Sequence, residues 1–272
     1  GTEGVLGGQA EVKGVSGVWR DLTENVNTMA ASLTTQVRAI ADVSTAVTQG
    51  DLTRTVAVEA KGEVAELKDN INEMIRNLAE TTRRNAEQDW LNSNLARFTG
   101  MMQGQRDLET VSRMIMSELT PLVGAHHGAF FLAHGEGEDL ELRLISSYAY
   151  KQRKTVANRF KLGEGLVGQA ALEKTPILLT EAPEDYIRIT SGLGQAAPHN
   201  VFVLPALFEG QTMAVIELAS FHPFSETHQA FLEALTESVG IVINVIQQNM
   251  RTEELLEQSQ QLTEELQERS EE

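Results

Sequence analysis

The 272-residue sequence contains no cysteine. That excludes disulfides, thiolate metal sites, a cysteine nucleophile and a thioether-linked chromophore. Positive charge is also scarce: 22 Lys and Arg stand against 39 Asp and Glu, for a formal net charge of −17. Such a surface argues against binding nucleic acid or an anionic membrane face, since both need clustered cations. No stretch reads as an unbroken run of about eighteen apolar residues, and no signal-peptide pattern opens the chain. The expectation is a cytoplasmic chain with no direct membrane contact. None of the six histidines forms an H-x-x-x-H or H-E-x-x-H pair, and no G-x-x-x-x-G-K-[ST] phosphate loop is present. No metal, cofactor or catalytic residue is expected.

Composition supports helices around a real core. Apolar residues make up 41% and aromatic residues 5%, and the length suits roughly two domains. The most regular stretch is 22–47. Leu22, Val26, Met29, Leu33, Gln36, Ile40, Val43 and Val47 step by four and three without a fault, the spacing of a coiled-coil seam. With no Gly or Pro between Val18 and Gln49, the pattern predicts one continuous helix. Such a helix cannot bury its own seam, so it predicts a bundle.

Sliding the chain so that Gly17 lies over Gly62 brings Leu22 over Leu67, Asn25 over Asn70, Asn27 over Asn72, Met29 over Met74 and Leu33 over Leu78. The match includes surface as well as seam positions and marks an internal repeat. Between the copies stand Gly50-Asp51-Leu52, an extended segment with Val56 and Val58, and Lys61-Gly62-Glu63. Gly50 is placed to end the first helix. Glu63 suits the positive end of the next dipole, and that helix continues the seam with Leu67, Ile71, Met74 and Leu78.

A heptad helix, Gly-Asp-Leu, a connector with two apolar positions and Gly-Glu opening a second heptad helix together resemble a HAMP domain, here as tandem units. The resemblance implies a parallel four-helix bundle between two chains, with Leu52 and Val56 or Val58 clipping the helices together. It also implies a division into a partial unit at 1–36 and a complete one at 37–83. Gln36, the single polar seam position, falls at their junction, where two helix packings are expected to meet.

After Leu78 the seam turns polar and resumes as Leu91, Leu95, Phe98 and Met102 in another register. Two readings stand: a locally overwound coiled coil, or residues packing onto the next domain. This linker is assigned to 84–106. From Asp107 the pattern becomes that of an α/β domain, with an amphipathic helix, a strand over His127–His134, alternation through Leu140, Leu142, Leu144, Ser146, Tyr148 and Tyr150, and a hairpin across Glu209-Gly210. Gly163-Glu-Gly-Leu-Val-Gly168, Pro176-Ile-Leu, Asn200-Val-Phe-Val-Leu-Pro205 and Ala214-Val-Ile-Glu-Leu-Ala219 resemble a GAF domain, assigned to 107–250. That family implies a central antiparallel sheet with helices on one side and a ligand pocket on the other. Tyr148, Phe160, Tyr186, His199, Phe202 and Glu217 are the candidates for its lining, and the Asp185–Arg188 stretch is read as a flap. For His126-His127 a surface or capping role is expected.

The glycine run also matches the dinucleotide fingerprint, which needs a parallel βαβ unit around it. A last helix starts near Ser225 and runs through Leu232, Leu235, Val239, Val242 and Ile246 into Leu255, Ser259, Leu262 and Leu266, leaving as a coiled coil over 251–272.

The expected fold is α plus α/β: a parallel dimeric four-helix coiled coil, a sheet domain flanked by helices, and an exiting helix. The architecture resembles the input half of a bacterial hybrid sensor histidine kinase. It implies a non-catalytic relay in a parallel homodimer, with downstream histidine kinase domains elsewhere in a parent chain and a small-molecule ligand of unspecified identity. The alternatives are a dedicated metabolite or nucleotide sensor, a domain that serves only as a dimerising spacer, and a weak hydrolase using His199 and Glu217.

Overall fold

The computed structural model describes residues 5–14, 16–135, 137–149, 158–182, 188–190 and 194–271, in two compact units, Gly1–Gln88 and Asp89–Glu272.

The first unit holds helix α1 (Val18–Thr48), a connector, and most of helix α2 (Glu63–Met102). α1 stops where expected. Gly50 adopts φ +85°, and the amides of Gly50 and Asp51 bond back to the carbonyls of Val47 and Ala46, a Schellman end that needs a left-handed residue. The Asp51 carboxylate then accepts from the Thr53 amide and hydroxyl and from Arg54, which holds its pKa below the usual value, chiefly through the Thr53 hydroxyl. This turns the chain into the connector. Val56 is 2% exposed and packs with Val43 and Ile75, flanked by Ile40, Val47, Leu52, Val58 and Ile71.

Here the expected seam on α2 divides. Ile71 and Ile75 face the connector and α1, whereas Leu67, Met74 and Leu78 are exposed, as are Leu22, Val26, Met29 and Leu33 on α1. A helix in a bundle serves two sets of neighbours, so one heptad list covers two faces. Heptad spacing selects Met74 for the stripe, whereas Ile75 is the more buried of the two.

The second unit is a six-stranded antiparallel sheet in the order β3-β2-β1-β8-β7-β4. Its strands are β1 (His127–His134), β2 (Glu141–Tyr148), β3 (Arg159–Lys161), β4 (Ile177–Leu179), β7 (Asn200–Phe208) and β8 (Gln211–Ser220). A separate pair, β5 (Ile189–Thr190) and β6 (Gln195–Ala196), lies in the connection before β7. Its helices are α3 (Leu108–Leu122), α4 (Gly165–Glu173) and α5 (Glu226–Glu271). Asp107 caps α3 by accepting from the Thr110 amide, and the Ser225 hydroxyl accepts from the His228 amide at the start of α5.

Two cores sandwich the sheet. On one face Phe130, Phe202, Leu204, Ile216 and Leu218 meet α3, α5 and the end of α2, whose Phe98 and Met102 are buried there. Of the two readings for Leu91–Met102, packing onto the following domain is therefore the one observed. On the other face Phe131, Leu142, Val201, Val203 and Val215 meet Val167, Ala170 and Ala171 of α4. Part of the face reserved for a pocket is thus covered by a helix.

Within 226–263, α5 has a window of mean hydropathy 1.3, long and apolar enough by composition to cross a membrane. The stretch is interrupted by Glu233, Thr236, Glu237, Ser238 and Asn244, so it is not an unbroken apolar run. Its Phe231, Leu232, Leu235, Val239, Ile243 and Ile246 are instead buried in the sheet core. Leu232 through Ile246 lie within the stretch assigned to the sheet domain, ahead of the coiled coil expected over 251–272.

Candidate functional site

Glycines shape the turn into α4. Gly168 approaches so closely that a Cβ there would stand 2.1 Å from the Lys161 carbonyl oxygen. The Glu164 carboxylate accepts from the Lys161 amide, and the Gly163 amide donates to the Gly168 carbonyl. β3 and β4 then lie at opposite edges of an antiparallel sheet. No parallel βαβ unit surrounds the run, which removes the dinucleotide reading and makes these glycines packing residues.

The sheet alternation decides which candidates share a face. β1 and β2 slip register between Phe130 and Phe131, where Phe130 pairs Ser146 but Phe131 pairs Leu144. The extra residue, Ile145, is a bulge, and a bulge moves every later side chain to the other face. Leu142 and Leu144 therefore pack on the α4 side, whereas Tyr148 packs with the α3/α5 core. Strict alternation through Tyr148 is thereby corrected. Phe202 also belongs to the α3/α5 core, 5.7 Å from the Phe224 ring. Phe160 lies on the α4 side, edge-on to Phe131 at 5.4 Å. His199 is exposed at the head of β7, and its carbonyl accepts from the Ala182 amide. Tyr186, and the Asp185–Ile187 part of the flap, lie outside the described residues. The described candidates therefore divide: Phe160 and Glu217 lie on the α4 side, whereas Tyr148 and Phe202 lie on the α3/α5 side.

The structure puts an unexpected residue beside Glu217. Ala129 pairs Glu217 and His127 pairs Ala219, so His127 and Glu217 are diagonal neighbours on the α4 side, roughly 7–8 Å apart. His127 is 6% exposed, which corrects its expected surface role; β1 starts at this residue and draws it into the sheet. Glu217 is half-buried, and Ala129 and Ala219 beside it end at Cβ. Across the next strand Glu217 and Ala219 pair Val203 and Val201. One carboxylate and one imidazole thus share a patch of small apolar residues, of which Ala129, Val201, Val203 and Ala219 are buried in the same core as α4. The strand begins at His127, as expected; what its sequence neighbours do not give is that β8 brings Glu217 beside it.

The pairing His199–Glu217 does not form. Asn200 pairs Ser220, so His199 lies about four residues along the strand from Glu217, roughly 13 Å. Among the described residues, no group of three or more His, Asp or Glu could hold a metal ion.

Two other depressions occur. One of about 280 Å³ at the β1–β2 loop is lined by His134, Asp139, Glu141, Arg143 and Lys161. Its charges compensate: the Glu141 carboxylate accepts from Arg143 Nε at 2.6 Å, which lowers its pKa. The other, of about 400 Å³, is an open groove on α2 lined by Asn70, Met74, Asn77, Leu78 and Thr81.

In the second unit α2 meets α5 through rings. Trp90 lies 5.2 Å from the His228 ring and 5.3 Å from Phe231, which stands edge-on to Phe98 at 5.8 Å. Edge-to-face pairs add about 0.5–1.5 kcal/mol each beyond burial. Burial pushes the His228 pKa down from its ordinary value. The folded state thus favours the neutral ring, and the unfolded chain takes up a proton near the usual value of about 6.5. This stabilisation is complete above that value and is lost as pH falls. Thermal midpoints should accordingly drop from pH 7.5 to 5.5, and His228→Gln should reduce the drop. An unchanged drop in the variant would show that His228 does not titrate across folding.

A family model described as GAF domain matches residues 105–244, and one described as HAMP domain matches residues 14–80. Solved structures similar to the chain include the GAF domain of a phosphoenolpyruvate-protein phosphotransferase from Coxiella burnetii, 20% identical, covering 59% of this chain and 96% of that one, TM-score 0.49. A free methionine-R-sulfoxide reductase from Neisseria meningitidis in complex with its substrate is 20% identical, covering 57% and 89%, TM-score 0.46. The A. aeolicus nlh2 GAF domain in an inactive state is 20% identical, covering 57% and 96%, TM-score 0.46.

Proposed function

The chain belongs to the GAF domain family and carries a HAMP domain ahead of its GAF domain, an arrangement of sensory and signalling domains; from that premise we propose that it relays conformational signals as a parallel homodimer. The output would be a histidine kinase core elsewhere in a parent chain. One observation carries the reading: Leu22, Val26, Met29, Leu33, Leu67, Met74 and Leu78 keep heptad spacing and are 41–67% exposed. Apolar stripes of that length are covered in a working protein, and heptad stripes are covered by helices.

Covalent continuity supports the relay. α2 is one helix, with residues up to Gln88 in the first unit and Trp90, Phe98 and Met102 in the second. Rotation or sliding of α2 between two packings of similar energy would move Phe98 within the sheet core and so bias α5. Light scattering at micromolar concentration is expected to give a dimer, and a strict monomer overturns the proposal.

Gln36 is the most informative single position. Its Nε2 donates to the Glu59 carbonyl at 3.1 Å and to the Ser32 hydroxyl at 3.2 Å, tying α1 to the end of the connector. Gln36→Leu gives up both bonds for an apolar seam position, favouring one helix packing over the other. Output from a full-length parent should become insensitive to input, and ordinary signalling in that variant contradicts the assignment.

A second reading rests on His127 and Glu217. A small polar ligand that reaches this pair in one of two states and not in the other would shift the same equilibrium. A metabolite that raises the melting temperature of the wild type but not of Glu217→Gln supports it, and a screen in which nothing shifts the midpoint weighs against it.

A further inference from the structure

The internal repeat carries one further identity, and its two copies make different bonds. The Asn27 side chain bonds both the amide and the carbonyl of Ala10, and Asn72 holds Val56 in the same way. Eleven residues after each asparagine stands an arginine, Arg38 in the first copy and Arg83 in the second. Four residues before each clasped residue stands a leucine, Leu6 in the first copy and Leu52 in the second. Arg38 Nη2 donates to the Leu6 carbonyl at 3.2 Å, and a Cβ on Gly7 would lie 3.7 Å from the same nitrogen. Arg83 instead donates to the carboxylates of Glu80 at 3.1 Å and Glu87 at 2.6 Å, on its own helix.

We propose that this arginine is a latch between helix and connector, and that the two copies show its two positions: closed on Leu6 at Arg38, open on Glu80 and Glu87 at Arg83. The spacings allow both copies the closed position. From asparagine to arginine a helix rises about 16 Å, while four extended residues of connector span about 13 Å. An arginine covers the difference, since its side chain tilts back toward the helix N-terminus. The clasp and both spacings are shared, so the Leu52 carbonyl lies within reach of Arg83.

The flanking residues decide the position. Thr35 and Asp42 stand where the second copy has Glu80 and Glu87. Arg38 thus lacks an acid one turn before it, and the acid one turn after it is a methylene shorter. Arg83 has both, and acids at those spacings hold it on α2. All these bonds are exposed. Neither position is therefore held strongly, and a small change in either set of partners moves the arginine.

A closed latch fastens the connector at a second point beyond the clasp. An open one leaves that end free to move along the helix. Its use in signalling rests on the relay reading above: sliding or rotation is then resisted in the first copy and admitted in the second.

Amide exchange in the full chain tests the latch by itself. Arg38→Gln and Thr35→Glu should each speed exchange at the Ala10 amide about threefold, the effect of one exposed bond. Arg83→Gln should leave the Val56 amide unchanged. Glu80→Gln combined with Glu87→Gln should free Arg83 and slow exchange at Val56 by about the same factor, and adding Arg83→Gln should abolish that slowing. No speeding at Ala10, no slowing at Val56, or a slowing that survives without Arg83 overturns the latch and leaves the relay standing. A strict monomer in light scattering overturns the relay and leaves the latch.

Discussion

Gly240→Ala is expected to unseat α5 from the sheet and produce a large loss of stability for a single added methyl group. A Cβ at Gly240 would stand 2.1 Å from the Leu207 carbonyl oxygen and 2.6 Å from its carbon. Both sides of the clash are backbone, so no rotamer change relieves it. α5 must back away, and Phe231, Leu235, Val239 and Ile243 lose their seats together. Overpacking ordinarily costs 1–3 kcal/mol and sometimes more; about 3 kcal/mol or above is expected here. At roughly 2–4 °C per kcal/mol for a domain of this size, the midpoint should fall by about 10 °C. Gly100→Ala is the control. Gly100 lies within α2 with open space where its Cβ would be, so alanine should gain about 1 kcal/mol there. Thermal unfolding followed by near-ultraviolet circular dichroism measures both, and equal midpoints for the two variants would disprove the close α5–β7 approach.

Asn72→Ala should release the connector. The Asn72 side chain accepts from the Val56 amide at 2.8 Å and donates to the Val56 carbonyl at 3.1 Å, so one amide meets both backbone groups of the most buried connector residue. Alanine leaves both unmet beside Val43 and Ile75, at roughly 2–3 kcal/mol in all. Amide exchange at Val56 should then accelerate by about thirtyfold or more. Asn27 makes the same two bonds to Ala10, at 2.8 and 2.9 Å, but in an exposed setting. There water replaces the lost bonds, and Asn27→Ala should speed exchange at Ala10 only a few-fold. Equal effects at the two sites would refute burial as the cause. The paired clasps also give the internal repeat a physical content: Asn27 and Asn72 are identical because each holds a connector.

The sequence by itself determined the elements and their order. Seam spacing located α1, the Gly50 stop and the Glu63 start; the glycine turns and the 200–220 hairpin located the sheet; and the paired asparagines were visible as a repeat. These are signals read within one element, where the period of the backbone dictates which residues align. Only the tertiary structure decided which face each periodic set serves. Ile75 rather than Met74 fills the small core beneath Val56 because α2 has two neighbours. Tyr148 leaves the α4 face because one bulge at Ile145 reverses the alternation. His127 comes beside Glu217 because β1 and β8 are adjacent, although they are far apart in sequence. On α5, Ile246 is buried against the sheet whereas Leu255 is exposed, since a helix offers apolar residues to every side and only packing assigns them.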